Sequence, residues 1–179
     1  MTIVRPLKPP RRSKLAAVSY PAPAFEAKFC PPDELAERTA RLPRPVVFTN
    51  GCFDILHRGH VTYLAQARNL GASLIVAANS DDSVRRLGKG DDRPVNRLED
   101  RMALLAALEC VSLVTWFDED TPLATILRCR PDVLVKGGDW APEHIVGAKE
   151  VLAGGGRVVS IPFLHAHSTT TLLEKIRSL

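Results

Sequence analysis

Long apolar runs are missing from this 179-residue sequence, and no stretch approaches the roughly 20 residues that a membrane-spanning helix needs. The basic N-terminus also lacks the apolar segment of a secretory signal peptide. Only four cysteines are present, and they are widely spaced without a Cys-x-x-Cys pair, which argues against structural zinc and against a disulfide framework. These absences predict a cytoplasmic protein with free thiols and no membrane partner.

The basic charge is confined to one end of the chain. The formal net charge is +4, but residues 1–45 contain nine basic and four acidic residues, whereas the remainder contains 15 basic and 16 acidic residues. A nearly neutral remainder offers no electrostatic surface for a polyanion. Nucleic acid is therefore not an expected partner.

Composition divides the chain into two parts. Residues 1–45 carry nine of the 14 prolines, which predicts an irregular N-terminal arm with one short helix at residues 33–41. Deleting residues 1–40 is therefore expected to leave turnover nearly unchanged. Residues 46–179 alternate five strand signals with helical ones, including one helix predicted at residues 143–153. This alternation predicts an α/β fold, a single Rossmann-like doubly wound domain with a five-stranded parallel sheet.

Ligands of such sheets bind at the carboxyl ends of the strands, and the first strand-to-helix loop carries the strongest candidates. This loop reads TNGCFDILHRGH and occupies residues 49–60. His57 and His60 are three residues apart at the start of the following helix, where both rings can converge on one oxyanion beside the positive helix end. A lone loop histidine is usually structural, but this pair at the ligand edge of the sheet favours a catalytic role.

The remainder of the first loop is expected to bind nucleotide. Thr49 offers a hydroxyl, and Asn50 and Gly51 allow close approach of a ligand to the backbone. Phe53 is expected to pack under the loop and Asp54 to cap it.

A second loop, GKGDDRPVNRLEDR at residues 88–101, carries several cations. Lys89 and Arg93 are predicted to be mobile cations that neutralise the β- and γ-phosphates of a nucleotide and assist catalysis. The alternative is a solvated charged loop. Arg101 lies in the helix that follows, where pairing with its acidic neighbours Glu99 or Asp100 is the alternative to a phosphate contact.

Two further segments follow later strands. In DVLVKGGDW, residues 132–140, Lys136 is predicted to bind an acceptor phosphate, and the Asp139 carboxylate suits ribose hydroxyls. Asp120 lies in an acidic run after another strand and is a candidate for sugar hydroxyls or metal. In HSTTTLLEKI, residues 167–176, a hydroxyl-rich helix start is expected to cap the helix and to bind triphosphate through Ser168, Thr169 and Thr170.

The segment GCFDILHRGH resembles the nucleotidyltransferase superfamily signature, Gly-x-Phe-Asp-x-x-His-x-Gly-His, and STT resembles the superfamily's triphosphate-binding motif. The resemblance implies that His57 and His60 stabilise phosphate charge during attack on the α-phosphorus. It also implies that Asp139 contacts the ribose. No covalent enzyme intermediate is expected.

Residues 46–179 also resemble the D-glycero-β-D-manno-heptose 1-phosphate adenylyltransferases, through RPVN, FDEDTP, VKGGDW, IVGAKEV and STT. This resemblance implies transfer of AMP from ATP to heptose 1-phosphate, giving ADP-heptose for the lipopolysaccharide inner core. It further implies Mg²⁺ accompanying ATP, with no metal ligand assigned, a homodimer, and a separate heptose kinase acting upstream.

Two alternatives stay open at this stage. One is a cytidylyltransferase acting on glycerol 3-phosphate or another small phosphorylated alcohol, because the sequence does not fix the base preference. The other is a noncatalytic nucleotide-binding regulatory domain, against which the intact motifs argue.

Overall fold

The computed structural model describes residues 21–88, 90, 92–164 and 169–179. Its centre is a parallel sheet of five strands in the order β3-β2-β1-β4-β5. This is the predicted doubly wound α/β sheet, with strands β1 (Val46–Gly51), β2 (Ser73–Asn79), β3 (Leu113–Phe117), β4 (Val133–Gly137) and β5 (Arg157–Ile161).

The central strands are buried on both faces, as expected of a parallel sheet covered by helices. All seven residues of β2 are buried. Strand β1 pairs with β2 through Val47 and Leu74, and with β4 through Val47 and Val133. Chain order reverses between β1 and β4, and this reversal is the switch point at which doubly wound sheets bind ligands.

Helices cover both faces of the sheet. Leu64 and Leu105 belong to the core on one face, and Ile126 and Val151 to the core on the other. The helices are α1 (Leu35–Ala40), α2 (Arg58–Arg68), α3 (Asp81–Arg86), α4 (Leu98–Ala107), α5 (Leu123–Cys129), α6 (Ala148–Ala153) and α7 (Thr169–Arg177), with short 3-10 helices at Ala24–Lys28 and Pro142–His144. Among the residues described, no helix has the length and apolar character needed to cross a bilayer. All four cysteines are free, as predicted.

The single helix predicted at residues 143–153 is wrong. The structure has a 3-10 turn at Pro142–His144, and α6 begins only at Ala148. Gly147, between them, adopts a left-handed conformation with φ 85°, which interrupts a right-handed helix. A Cβ atom at Gly147 would lie 2.7 Å from Ile126 Cδ1, so glycine also permits close packing on α5.

The second half of the N-terminal arm packs against the domain, whereas the sequence predicts an irregular arm before residue 46. The backbone nitrogen of Cys30 donates to the carbonyl oxygen of Val114 at 2.9 Å, and Lys28 Nζ donates to the carbonyl oxygen of Leu108 at the same distance. Cys30 and Leu35 are completely buried in the core. This segment therefore covers the edge strand β3, and removing it with residues 1–40 would open the core.

A core role for the segment can be tested at Leu35. We expect Leu35→Ala to lower the free energy of unfolding by about 2–4 kcal/mol, because it leaves a cavity at a fully buried position. Leu152→Ala is the matched control, since Leu152 is 54% exposed and lies in another short helix. Urea unfolding measures both variants, and equal losses would contradict the packing of the arm segment.

Candidate active site

The two histidines of the first loop lie at the carboxyl end of β1, where α2 begins. His57 is the residue that precedes α2, and His60 lies in its first turn. Their rings stack with centroids 3.9 Å apart and planes inclined by 26°. The rings of Phe53 and His60 pack in a T-shaped arrangement, with centroids 5.4 Å apart. The histidines thus converge beside a helix N-terminus, as the sequence predicts.

His60 is held in its neutral form. Burial, assisted by the neighbouring His57, lowers its pKa to about 4, although a hydrogen bond with the backbone of Ile55 acts in the opposite direction. At neutral pH the ring is therefore a hydrogen-bond donor and acceptor without a net charge. A neutral imidazole can still donate one N–H hydrogen bond to a phosphate oxygen.

This lowered pKa makes a prediction about stability. An unfolded histidine titrates near 6.5, so the unfolded chain binds a proton at His60 before the folded chain does. Stability from this residue is present above about pH 6.5 and is lost as pH falls towards 4. We expect His60→Asn to reduce the loss of stability between these pH values. Urea unfolding at several pH values measures it, and parallel profiles for parent and variant would contradict the prediction.

The end of β1 is joined to α2 by a buried hydrogen bond. Thr49 Oγ1 and the Tyr63 hydroxyl oxygen lie 2.5 Å apart, and burial raises the pKa of Tyr63 far above its usual range. Thr49 is completely buried, so its hydroxyl is not presented to a ligand as the sequence analysis expected. Its observed partner is Tyr63, which the sequence analysis missed.

The remainder of the first loop lies beside the histidines. Phe53 is buried beneath the loop with a positive φ of 47°. A Cβ atom at Gly51 would lie 3.1 Å from the Phe53 ring, so a larger residue would displace either the ring or the loop. Asn50 and Gly51 both border the cavities described below.

Asp54 anchors the second loop to the first. Its buried carboxylate accepts hydrogen bonds from the backbone nitrogens of Val95 and Asn96 at 2.8 and 2.9 Å, and it forms an ion pair with Arg93. The side-chain nitrogen of Asn96 donates a hydrogen bond to the backbone carbonyl oxygen of Asp54 at 2.7 Å. Arg93 is itself buried, so the expectation of a mobile cation is wrong for this residue: the carboxylate holds it in place.

Arg101 is a second connection between these loops. Its side chain is completely buried, and its guanidinium donates to the carbonyl oxygens of Cys52 at 2.6 Å and Asn96 at 3.1 Å. It also forms an ion pair with Asp81 at 2.7 Å. The alternative pairing with its acidic sequence neighbours is therefore wrong, because α4 turns this side chain towards the loops.

The remaining predicted residues that the structure describes follow the carboxyl ends of β3, β4 and β5. Lys89 and Ser168 lie outside the described residues. Asp139 is exposed after β4, and at the start of α7 Thr169 is nearly buried while Thr170 is exposed. Asp120 is exposed and paired with Arg86 at 2.9 Å. Within the described part of the chain, no group of three or more potential metal ligands is assembled.

Two cavities meet at the switch point. The smaller, of about 150 Å³, is bordered by His60, Tyr63 and Phe163. The larger, of about 350 Å³, extends towards β2 and β3 and is bordered by Asn79, Asp120, Trp140 and His144, among others. Both share the residues Asn50, Gly51, Cys52 and Lys136. The two cavities therefore share a boundary formed by the carboxyl ends of the neighbouring strands β1 and β4.

Lys136 lies on this shared boundary. Its Nζ is 3.5 Å from Asn50 Oδ1, which links the ends of β4 and β1. A still larger cavity, of about 570 Å³, lies beside Arg44, Asp132 and residues 154–156. That cavity is at the amino end of β4, and the switch-point rule places ligands at the opposite edge. The pair of cavities around Lys136 is therefore the candidate active site.

Known proteins share this architecture and sequence. The cytidylyltransferase-like family model matches residues 48–172. A D-beta-D-heptose 1-phosphate adenylyltransferase of Bordetella bronchiseptica is 59% identical over 155 residues, which cover 86% of this chain and 96% of that protein. The bifunctional protein HldE of Haemophilus influenzae is 55% identical over 147 residues, which cover 82% of this chain but only 30% of HldE.

Solved structures agree with the fold. A lipopolysaccharide core biosynthesis protein of Thermoplasma volcanium superposes with a TM-score of 0.55 at 27% identity, covering 68% of this chain and 98% of that one. A pantoate-beta-alanine ligase of Francisella tularensis superposes with a TM-score of 0.56 over 84% of this chain and 78% of that one, and at 12% identity it supports the fold alone. From the family match and the Bordetella relative together, the chain belongs to the cytidylyltransferase-like family of nucleotidyltransferases, on the branch of the heptose 1-phosphate adenylyltransferases.

Proposed function

We propose that this protein transfers AMP from ATP to D-glycero-β-D-manno-heptose 1-phosphate, giving ADP-heptose and pyrophosphate for the lipopolysaccharide inner core. The observation that carries the proposal is the pair of cavities that share Asn50–Cys52 and Lys136 beside the stacked histidines. Two substrates can meet there at one phosphorus atom. The Bordetella relative, named for this activity, supports the choice of substrates.

The reaction is an in-line displacement at phosphorus. An oxygen of the sugar phosphate forms a bond to the α-phosphorus of ATP, the bond from that phosphorus to the bridging β-phosphate oxygen breaks, and pyrophosphate leaves. The attacking oxygen is already ionised, so no general base has to remove a proton. Catalysis then consists of holding the substrates in line and stabilising the charge that develops.

The histidines act on this developing charge. We assign His57 and His60 to the α-phosphate, because their rings meet beside the positive end of α2. Lys136, on the boundary of the two cavities, is assigned to the acceptor phosphate. Asp139 is assigned to the ribose and Asp120 to the sugar hydroxyls.

The remaining roles concern the triphosphate. Lys89, Ser168 and Thr170 are assigned to its β- and γ-phosphates, while Arg93 acts through the loop that Asp54 holds. Mg²⁺ accompanies ATP, whose own phosphate oxygens are suitable ligands for this hard cation. We further propose a cytoplasmic homodimer that receives heptose 1-phosphate from a separate kinase.

The experiment measures pyrophosphate release with each nucleotide and acceptor. We expect ATP with heptose 1-phosphate to react much faster than CTP with the same acceptor, and faster than either nucleotide with glycerol 3-phosphate. Equal or better use of CTP would overturn the adenylyl assignment. Nucleotide binding without pyrophosphate release from any pair would instead support the noncatalytic alternative.

A further inference from the structure

The larger of the two site cavities has the chemistry of a sugar-binding pocket. It opens at the ends of β2 and β3 and is closed by the segment after β4. Polar groups of different kinds face it, an amide, a carboxylate, a hydroxyl and an imidazole, from Asn79, Asp120, Thr121 and His144. Between them lie apolar surfaces of Leu87, Phe117 and Ile145. A sugar ring combines the same features, since hydroxyl groups surround an apolar carbon skeleton.

Asn79 is positioned to bind a hydroxyl group. It is only 5% exposed, and its amide nitrogen donates to Ser83 Oγ at 3.0 Å. That bond restrains the side-chain amide of a residue that lines the cavity. An amide oxygen fixed in this way at the cavity wall can accept a hydrogen bond from a sugar hydroxyl.

Trp140 and His144 also line this cavity. Trp140 is 50% exposed, its backbone nitrogen donates to Ser160 Oγ at 3.1 Å, and its indole packs against Gly138. An indole face held at a cavity rim suits the carbon face of a sugar, while its rigid ring loses little entropy on binding. His144, at the end of its 3-10 turn, presents ring nitrogens that can bond to hydroxyls.

The triphosphate belongs in the other cavity. Phe163, which precedes α7 and its hydroxyl-rich start, borders the histidine cavity. The loop carrying Arg93 is bound to Asp54 of the histidine loop. In-line displacement places the attacking group opposite the departing pyrophosphate. The acceptor therefore enters from the cavity that lies across Lys136 from the histidines.

We propose that the larger cavity binds the sugar ring of the acceptor and that Asn79, Trp140 and His144 determine which acceptor is used. This inference rests on the proposed transfer to a sugar phosphate, but it concerns the place of binding and not the identity of the sugar. It assigns specificity to three residues for which the sequence analysis predicts no role. A small alditol phosphate has no sugar ring and would not make the contacts that these three residues make with the ring.

Binding to the full chain tests the assignment. Dissociation constants for heptose 1-phosphate and for α,β-methylene-ATP, an unreactive analogue, are measured by calorimetry, with the acceptor titrated into the analogue complex. We expect Trp140→Leu and His144→Ala each to weaken acceptor binding by about 10-fold, as for the loss of one good contact, and to change analogue binding less than about twofold. Leu127→Ala is the matched control, since Leu127 is 51% exposed and borders only the distant cavity.

Asn79→Ala adds a test of discrimination. We expect the ratio of kcat/KM for heptose 1-phosphate to that for glycerol 3-phosphate to fall about 10-fold, because the hydroxyl partner is lost. If Asn79→Ala does not fold, the exposed variants Trp140→Leu and His144→Ala test the cavity assignment without it. Weakened binding of the ATP analogue with unchanged acceptor binding would overturn the assignment.

The proposed function can fail separately. If the parent protein prefers another phosphorylated acceptor, the same variants are measured with that compound, and its binding should weaken in the same way. Unchanged binding of the preferred acceptor in both exposed variants, or no binding of any acceptor to the parent, would overturn the cavity assignment.

Discussion

Replacing His57 or His60 with alanine is expected to lower kcat by about 10²-fold or more, while the affinity for ATP changes much less. Charge on the α-phosphate grows as the acceptor attacks, so the two rings contribute more in the transition state than in the bound substrate. Removing one donor from an oxyanion site has an effect of about this size. Steady-state kinetics, with ATP affinity measured separately, give the two quantities.

Asparagine provides the matched control for His60. It keeps a donor of shorter reach, so His60→Asn should recover part of the loss seen with alanine. Circular dichroism and thermal unfolding must show that each variant is folded, because His60 also lies in the first turn of α2. Folded variants that bind ATP normally and react at the parental rate would remove the histidines from the mechanism.

The contact between the rings adds a readout that is independent of turnover. The charge of His57 lowers the pKa of His60 in addition to burial. His57→Ala should therefore raise the pKa of His60 from about 4 towards its usual range, although burial keeps it below that range. Titration of the ring by NMR measures this change. An unchanged pKa would mean that the stacked arrangement does not hold in solution.

Replacing Asp54 with alanine is expected to lower the free energy of unfolding by about 3–5 kcal/mol. The variant leaves Arg93 as an unpaired buried charge and removes the acceptor of the Val95 and Asn96 backbone nitrogens. Asp54→Asn should cost less, because the amide keeps one accepting oxygen. Both variants should also weaken ATP binding, since the loop carrying Arg93 loses its attachment to the histidine loop.

Asp82 supplies the comparison for Asp54. It also pairs with an arginine, Arg85, but both side chains are more than half exposed. Exposed ion pairs contribute little, so Asp82→Ala should change stability by no more than about 1 kcal/mol. Urea denaturation measures all three variants. Similar losses for Asp54→Ala and Asp82→Ala would show that the buried pair does not anchor the loop.

The sequence predicts most of the architecture because the sheet follows directly from apolar periodicity. The five strand signals predicted from residue 46 onwards correspond to the five strands of the sheet. The convergence of His57 and His60 also follows from their spacing at a helix start. The break before α6 was missed, because the left-handed conformation of Gly147 accompanies close packing against Ile126 of another helix.

What the sequence does not predict are contacts between segments far apart in the chain. The sequence around Arg101 is charged, as on an ordinary protein surface. Its side chain is nevertheless buried and donates hydrogen bonds to the carbonyl oxygens of Cys52 and Asn96. The hydroxyl of Thr49 forms a hydrogen bond with the hydroxyl of Tyr63. The arm segment packs against the domain core through Leu35. The only signal for Leu35 was an apolar residue in a short predicted helix. Each of these contacts depends on tertiary packing, which the local propensities of the sequence do not predict.

The most direct test of the proposed reaction is a ³¹P NMR time course with the full chain, ATP, Mg²⁺ and heptose 1-phosphate. Transfer of AMP predicts that the ATP signals are replaced by equal amounts of inorganic pyrophosphate and a nucleotide sugar whose two phosphorus atoms are coupled. Appearance of ADP with a heptose bisphosphate, or of ADP and inorganic phosphate, would contradict it, because either outcome requires attack at the γ-phosphorus.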